Sequence, residues 1–221
     1  MITKQKVNIN EVLGIEKPFN PTAKRLEGIF FYSSVSYIVV LVLNVLLSSF
    51  FGYSIITNYI SDLGSKNFIP FPYLHDLICV FGGVVSLPVN FFVRKKLRIV
   101  YKSSKHSVLF VEFGFVLGVI GNIGYVFLGV FSLDRAGPGD IYHGIVAFIS
   151  FGGYILSIFF FSLNIILSHK CKLKHLGLFG LVVPITLFFA YCALTIPLIE
   201  WFLLSSILLF LLLLDYYVFK H

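Results

Sequence analysis

The chain of 221 residues is 58% hydrophobic and only 12% charged, with a mean hydropathy of +0.94, whereas soluble domains carry about 25% charged residues. Disorder requires low hydrophobicity, collagen a glycine period and a disulfide scaffold many cysteines, and this composition with its 3 cysteines meets none of these. What remains is an all-α integral membrane protein, and its formal charge of +7 points to an anionic membrane surface and not to nucleic acid.

Residues 1–27 read as a cytoplasmic arm and the start of the first helix, with Asn20 as N-cap and Pro21 at the first helical position. Residues 28–221 read as a membrane domain. About 20 apolar residues cross a bilayer, and six stretches are long enough: 29–51, 73–93, 107–131, 144–168, 176–195 and 201–219. The first is longer than the core of a signal peptide and no small-residue cleavage pattern follows it, which predicts an uncleaved anchor. A six-helix bundle follows.

After the first stretch, positions 55, 56, 59, 60 and 63 are apolar and positions 54, 57, 58, 61 and 62 are polar. This helical spacing predicts a short amphipathic helix in the plane of the membrane, stopped by Gly64, with Asn58 and Asp62 on one face. The second stretch opens with His75 and Asp76, and positions 75, 79, 82, 86 and 90 place His, Cys, Gly, Ser and Asn along one side. The fourth opens with His143, and positions 143, 147, 150, 154 and 157 place His, Ala, Ser, Tyr and Ser likewise. Two stripes of small and polar residues, each headed by a histidine, predict a shared polar cleft.

Small residues let helices approach closely in hydrocarbon. Gly114, Gly118 and Gly121, beside Asn122 and Gly124, therefore predict that the third stretch is the centre of the bundle. Gly82, Gly83, Gly152, Gly153, Gly177 and Gly180 predict further contacts, whereas residues 201–219, nearly pure Leu, Ile and Phe, predict a lipid-facing helix. Pro88 and Pro184 predict bends, and Glu112 and Asp215 predict snorkelling toward basic loops.

Of the 17 Lys and Arg, all except Lys66 and Arg135 fall in the N-terminal segment, the loops after the second and fourth stretches, or the C-terminal turn and tail. Basic residues near short loops stay in the cytoplasm, so both termini are expected there. The opposite, outer side collects Asp62, Asp76, Asp134, Asp140 and Glu200. Together with Asn58, Ser61, His75 and Tyr154, residues Asp76, Asp134, Asp140 and Glu200 make the expected ligand-binding set. Asp62 and His143 make the expected catalytic pair, because histidine titrates near neutral pH and a carboxylate fixes its tautomer.

Histidines with carboxylates suit a divalent metal, and two histidines suit haem, but these are scattered singly with no HExxH spacing, so no metal or other cofactor is expected. Cys79, Cys171 and Cys192 make no disulfide framework. No phosphate-binding glycine loop or nucleophile elbow is present.

The segments Asn58-Tyr-Ile-Ser-Asp-Leu-Gly64, Leu128-Gly-Val-Phe131 and His143-Gly-Ile-Val-Ala-Phe148 resemble the motifs of a six-helix archaeal and bacterial membrane family, domain of unknown function 998. That pattern is Asn-x-x-Ser-Asp-Leu-Gly, then Gly-Val-Phe before a His-led helix. The resemblance covers roughly residues 29–170 and marks Asn58, Ser61, Asp62, Gly64 and His143 as family positions; it implies the six-helix fold and no defined activity. The segment between Phe131 and His143 is longer than in the family, and His75 and Asp76 stand where the family more often has Asn. More distantly, the layout is similar to the Frag/DRAM/Sfk group of eukaryotic membrane proteins, some linked to lipid remodelling.

Three readings follow. The outer cleft receives the head group of a membrane lipid or other amphiphile, with chemistry at His143. The same residues serve a transporter of a small solute or lipid, which requires polar lining that continues to the inner side. Or the chain is a structural subunit whose glycine-rich faces meet a second copy or another membrane protein.

Overall fold

Each apolar run forms a helix, the conformation that satisfies backbone N–H and C=O groups without water. A computed structural model describes residues 21–100, 105–136, 140–167 and 173–220; the arm over residues 1–19, the Asn20 cap and Cys171 lie outside them. The helices are α1 (Pro21–Ser49), α2 (Tyr73–Val100), α3 (Lys105–Val130), α4 (Ile141–Leu167), α5 (Lys174–Leu194) and α6 (Pro197–Lys220). All 6 are long and apolar enough to cross a membrane. The end of the bundle where α2, α4 and α6 begin carries His75, His143 and Glu200, and is here termed the histidine end; the other is the terminal end.

The helices follow one another round a ring, each packed on its sequence neighbours, and α6 closes the ring on α1. α6 also leans inward onto α2 and α4, contrary to the expectation that it faces lipid: Leu203, Ile207, Phe210 and Leu214 are at most 1% exposed. Shape explains this. A β-carbon on Gly180 of α5 would collide with the Phe210 ring, so α6 supplies the large side chains and its neighbours the spaces they fill.

The central place expected for α3 is likewise corrected. This helix packs chiefly between α2 and α4 and turns Phe113, Val116, Ile120, Ile123 and Phe127 outward. Its glycines report closeness and not centrality: a β-carbon on Gly153 of α4 would fall 2.6 Å from the Gly121 nitrogen. The two helices touch backbone to backbone.

α2 continues past its apolar stretch, and its added turns carry Arg94 and Arg98, whose guanidinium groups pair with Glu112 of α3 at 2.7 and 3.4 Å. Pro88 and Pro184 sit inside α2 and α5 without ending them. Asp215 does not reach out to basic loops. It is buried, and its Oδ2 accepts from Ser34 Oγ at 3.4 Å.

Residues 54–63 do not form the expected in-plane helix. A turn closes from Asn58 N to Ser54 O at 2.8 Å, and a short 3-10 helix follows over Ile60–Gly64. Asn58 Oδ1 takes the Ser54 N–H at 3.1 Å and Asp62 Oδ2 takes the Tyr59 N–H at 2.9 Å. Such side-chain bonds compete with helical ones for the same backbone donors. Burial follows the turn: Ile60, Asp62 and Leu63 go inside while Ile55 and Ile56 stay outside.

Candidate functional site: two adjacent cavities within the bundle

The loop between α1 and α2 caps the histidine end. Its Leu63 is fully buried, and Gly64 comes so close to the bundle that a β-carbon would lie 3.2 Å from both Asp76 Oδ1 and Ser132 Cβ. Three further ties hold it. Glu200 Oε2 accepts the Ile60 N–H at 2.9 Å, Trp201 Nε1 donates to the Asn58 carbonyl at 3.2 Å, and Asp134 Oδ1 accepts from Ser65 Oγ at 3.1 Å. Burial pushes the Asp62 carboxyl above the usual carboxylate range, against the bonds it receives from Tyr59 N–H and Asn58 Nδ2. Beside the cap, Arg135 Nη2 pairs with Asp76 at 2.6 Å and also donates to the Gly129 carbonyl at 2.8 Å.

Beneath the cap lies a cavity of about 30 Å³ whose polar lining is Ser61, His75, Cys79, Ser132, His143 and Glu200, on a floor that includes Ala147, Phe151 and Leu204. His75 Nε2 lies 3.5 Å from Cys79 Sγ, while its buried Nδ1 has no partner. His143 Nδ1–H donates to the Phe131 carbonyl at 2.9 Å. A carbonyl can only accept, so in the neutral ring Nε2 is left as the basic nitrogen.

A second cavity of about 70 Å³ lies toward the terminal end and shares the lining residues Tyr125, Phe151 and Leu204 with the first. The hydroxyls of Tyr37 and Tyr125 are hydrogen-bonded, and Tyr154 OH donates to Asn122 Oδ1 at 2.6 Å. Ser86, Asn90, Ser150 and, at the far end, Asp215 also line it. Asn122 Nδ2 and Ser150 Oγ are buried without a partner. Such atoms cost about 1–3 kcal/mol each unless water or a ligand meets them.

Both sequence stripes face the cavities except at Ser157, whose hydroxyl donates to the Gly114 carbonyl of α3 at 2.6 Å. His75 and Cys79 of α2, with His143 and Ala147 of α4, line the first cavity; Gly82, Ser86 and Asn90, with Ser150 and Tyr154, line the second. Of the other expected site residues, Ser61 and Glu200 line the first cavity. Asn58, Asp62 and Asp134 are engaged in holding the cap, Asp76 pairs with Arg135 beside it, and Asp140 is exposed, with a φ of 55°. Among the described residues no hydrogen bond or ion pair joins Asp62 to His143. The Phe131 carbonyl takes the orienting role expected of Asp62.

Sequence reasoning missed Tyr37, Tyr125 and Asp215 as lining residues. One signal for the first was present: Ser34, Tyr37, Asn44 and Ser48 recur at helical spacing in a mainly apolar stretch, and the last three of these are buried. No group of three His, Cys, Asp or Glu side chains gathers closely enough among the described residues to hold a metal ion. No family model, curated protein or solved structure matches the chain.

Proposed function

We propose that this is a multi-pass protein of the cell membrane, with both termini in the cytoplasm and the histidine end outside, that receives the polar head of a lipid or other amphiphile in the two adjacent cavities. One observation carries the reading. Side chains with buried polar atoms that have no protein partner, His75 with its Nδ1 foremost, line two adjacent cavities inside an otherwise apolar bundle. Half-buried Ser34, Ile38, Leu208 and Leu211 border the second cavity along the seam of α1 and α6, which leaves an acyl chain a way out to the bilayer. Kinship with the domain of unknown function 998 family belongs to the same proposal. His143, its Nδ1–H tied back, keeps Nε2 available for acid–base chemistry.

Transport of the amphiphile, or of a small solute, is the second reading. It is favoured by the polar side chains that recur through the mainly apolar lining of both cavities, from His143 to Asp215, as a carrier requires.

The test is native mass spectrometry of the chain purified in mild detergent. The natural chain is expected to retain a bound amphiphile. His75→Phe fills the space beneath the cap and removes the unpartnered nitrogen, so it is expected to lose most of that amphiphile with thermal stability unchanged or raised. Equal retention by both proteins would overturn the proposal.

A further inference from the structure

The second cavity combines a carboxylate, aromatic rings and unpartnered donors, and contains no basic side chain. Asp215 is 5% exposed, and its polar contact among the described residues is the long bond from Ser34. No Lys, Arg or His is among the residues that line the cavity. A carboxylate so placed is costly unless a cation or a proton meets it. Tyr37, Tyr125 and Tyr154 reach the same space from α1, α3 and α4, with ring centroids 6.1 and 6.2 Å apart in edge contacts. Ser34 and Tyr37 are three residues apart on α1, a rise of about 4.5 Å, so the carboxylate lies about one turn from the ring cluster. Aromatic rings attract cations, most strongly where water is excluded.

We infer that the second cavity receives an organic ammonium group, with Asp215 as its counter-charge and Tyr37, Tyr125 and Tyr154 as its walls. The unpartnered donors refine the class. Asn122 Nδ2 offers a hydrogen to an oxygen, and Ser150 Oγ is likewise unpartnered, so the ammonium carries an oxygen acceptor, a hydroxyl or an ester oxygen, close by. This inference rests on the reading that the cavities hold a ligand, and it names the chemistry recognised at their inner part. The ammonium belongs either to a lipid head group or to a free amine.

The test compares choline with 3,3-dimethylbutanol, its uncharged isostere, by calorimetric titration of the full chain in nanodiscs. Choline is expected to bind saturably and about ten-fold or more tightly than the isostere, the advantage expected of a desolvated cation among rings and a carboxylate. Asp215→Asn is expected to bring the two within about two-fold while the melting temperature without ligand is kept. Equal binding of the two probes to the natural chain would overturn the inference by itself, whether or not the variant folds. So would a preference retained in Asp215→Asn.

A second arm identifies the source. In nanodiscs of phosphatidylcholine, retention of that lipid by the natural chain and its loss in Asp215→Asn assign the lipid head group. Choline binding in phosphatidylglycerol nanodiscs without selective retention of phosphatidylcholine assigns the free amine. Absence of both overturns the inference. The broader proposal fails separately, when His75→Phe leaves amphiphile retention unchanged.

Discussion

Replacing Arg135 by methionine is expected to destabilise the folded chain by about 2–3 kcal/mol, below the 3–5 kcal/mol of a fully buried pair because the arginine is partly exposed. The guanidinium reaches across the histidine end to three acceptors: Asp76 Oδ2 at 2.6 Å and the carbonyls of Gly129 and Val130 at 2.8 and 2.9 Å. Methionine keeps much of the stem and removes every donor. Asp76 would stay buried, at 6% exposure, without its cation, and the last carbonyls of α3 would lose partners that a helix C-terminus needs. Adding Asp76→Asn to that variant removes the stranded charge and is expected to return part of the loss. A double-mutant cycle by unfolding in detergent should give a coupling of about 1–3 kcal/mol. Strict additivity would mean that the pair does not couple α2 to the connection between α3 and α4.

Gly153→Leu is expected to be more damaging still, with a loss of about 3 kcal/mol or more and little monodisperse protein. The new β-carbon would meet the Gly121 nitrogen at 2.6 Å and the Leu117 carbonyl at 2.9 Å. Those are backbone atoms and cannot swing aside, so α3 and α4 must part. Their separation would strain the bonds from Tyr154 to Asn122 and from Ser157 to the Gly114 carbonyl, each 2.6 Å long, and with them the wall of the second cavity. The neighbouring glycine supplies the control. A β-carbon on Gly152 meets nothing within 4 Å, so Gly152→Leu is expected to stay within about 0.5 kcal/mol of the natural chain. Size-exclusion profiles and thermal unfolding of the two variants make the comparison, and equal behaviour would contradict the packing described.

The same pair of helices illustrates what a one-dimensional reading reaches. The helices themselves were legible because crossing a bilayer imposes a length and a composition that six stretches meet. The polar stripes of α2 and α4 were legible because a helix repeats its faces, so His75 to Asn90 and His143 to Tyr154 had to look in common directions. The inward lean of α6 was not legible, since the space for Phe210 is made by Gly180 on another helix. Residues 54–63 misled because their polar spacing fits an amphipathic helix and a capped turn equally well, and only Asn58 and Asp62 competing for backbone donors decides between them. The pairing of Asp62 with His143 failed for a related reason: the carboxylate is engaged at Tyr59 before it can reach across the cap. Tyr37 and Tyr125 lie 88 residues apart, and no local pattern announces their contact.

α2 and α4 turn their histidine-led stripes onto cavities that, under the proposal made above, water reaches from outside the cell. Cysteine labelling tests it most directly, because a thiol reacts as its thiolate and therefore needs water. In a chain with Cys79, Cys171 and Cys192 replaced, a small membrane-impermeant reagent added to intact cells is expected to label Ala147→Cys, whose position lines the first cavity. It is expected to spare Phe148→Cys, one residue on, which faces outward from the bundle with 68% exposure. A silent position 147, or equal labelling at both, would contradict the account.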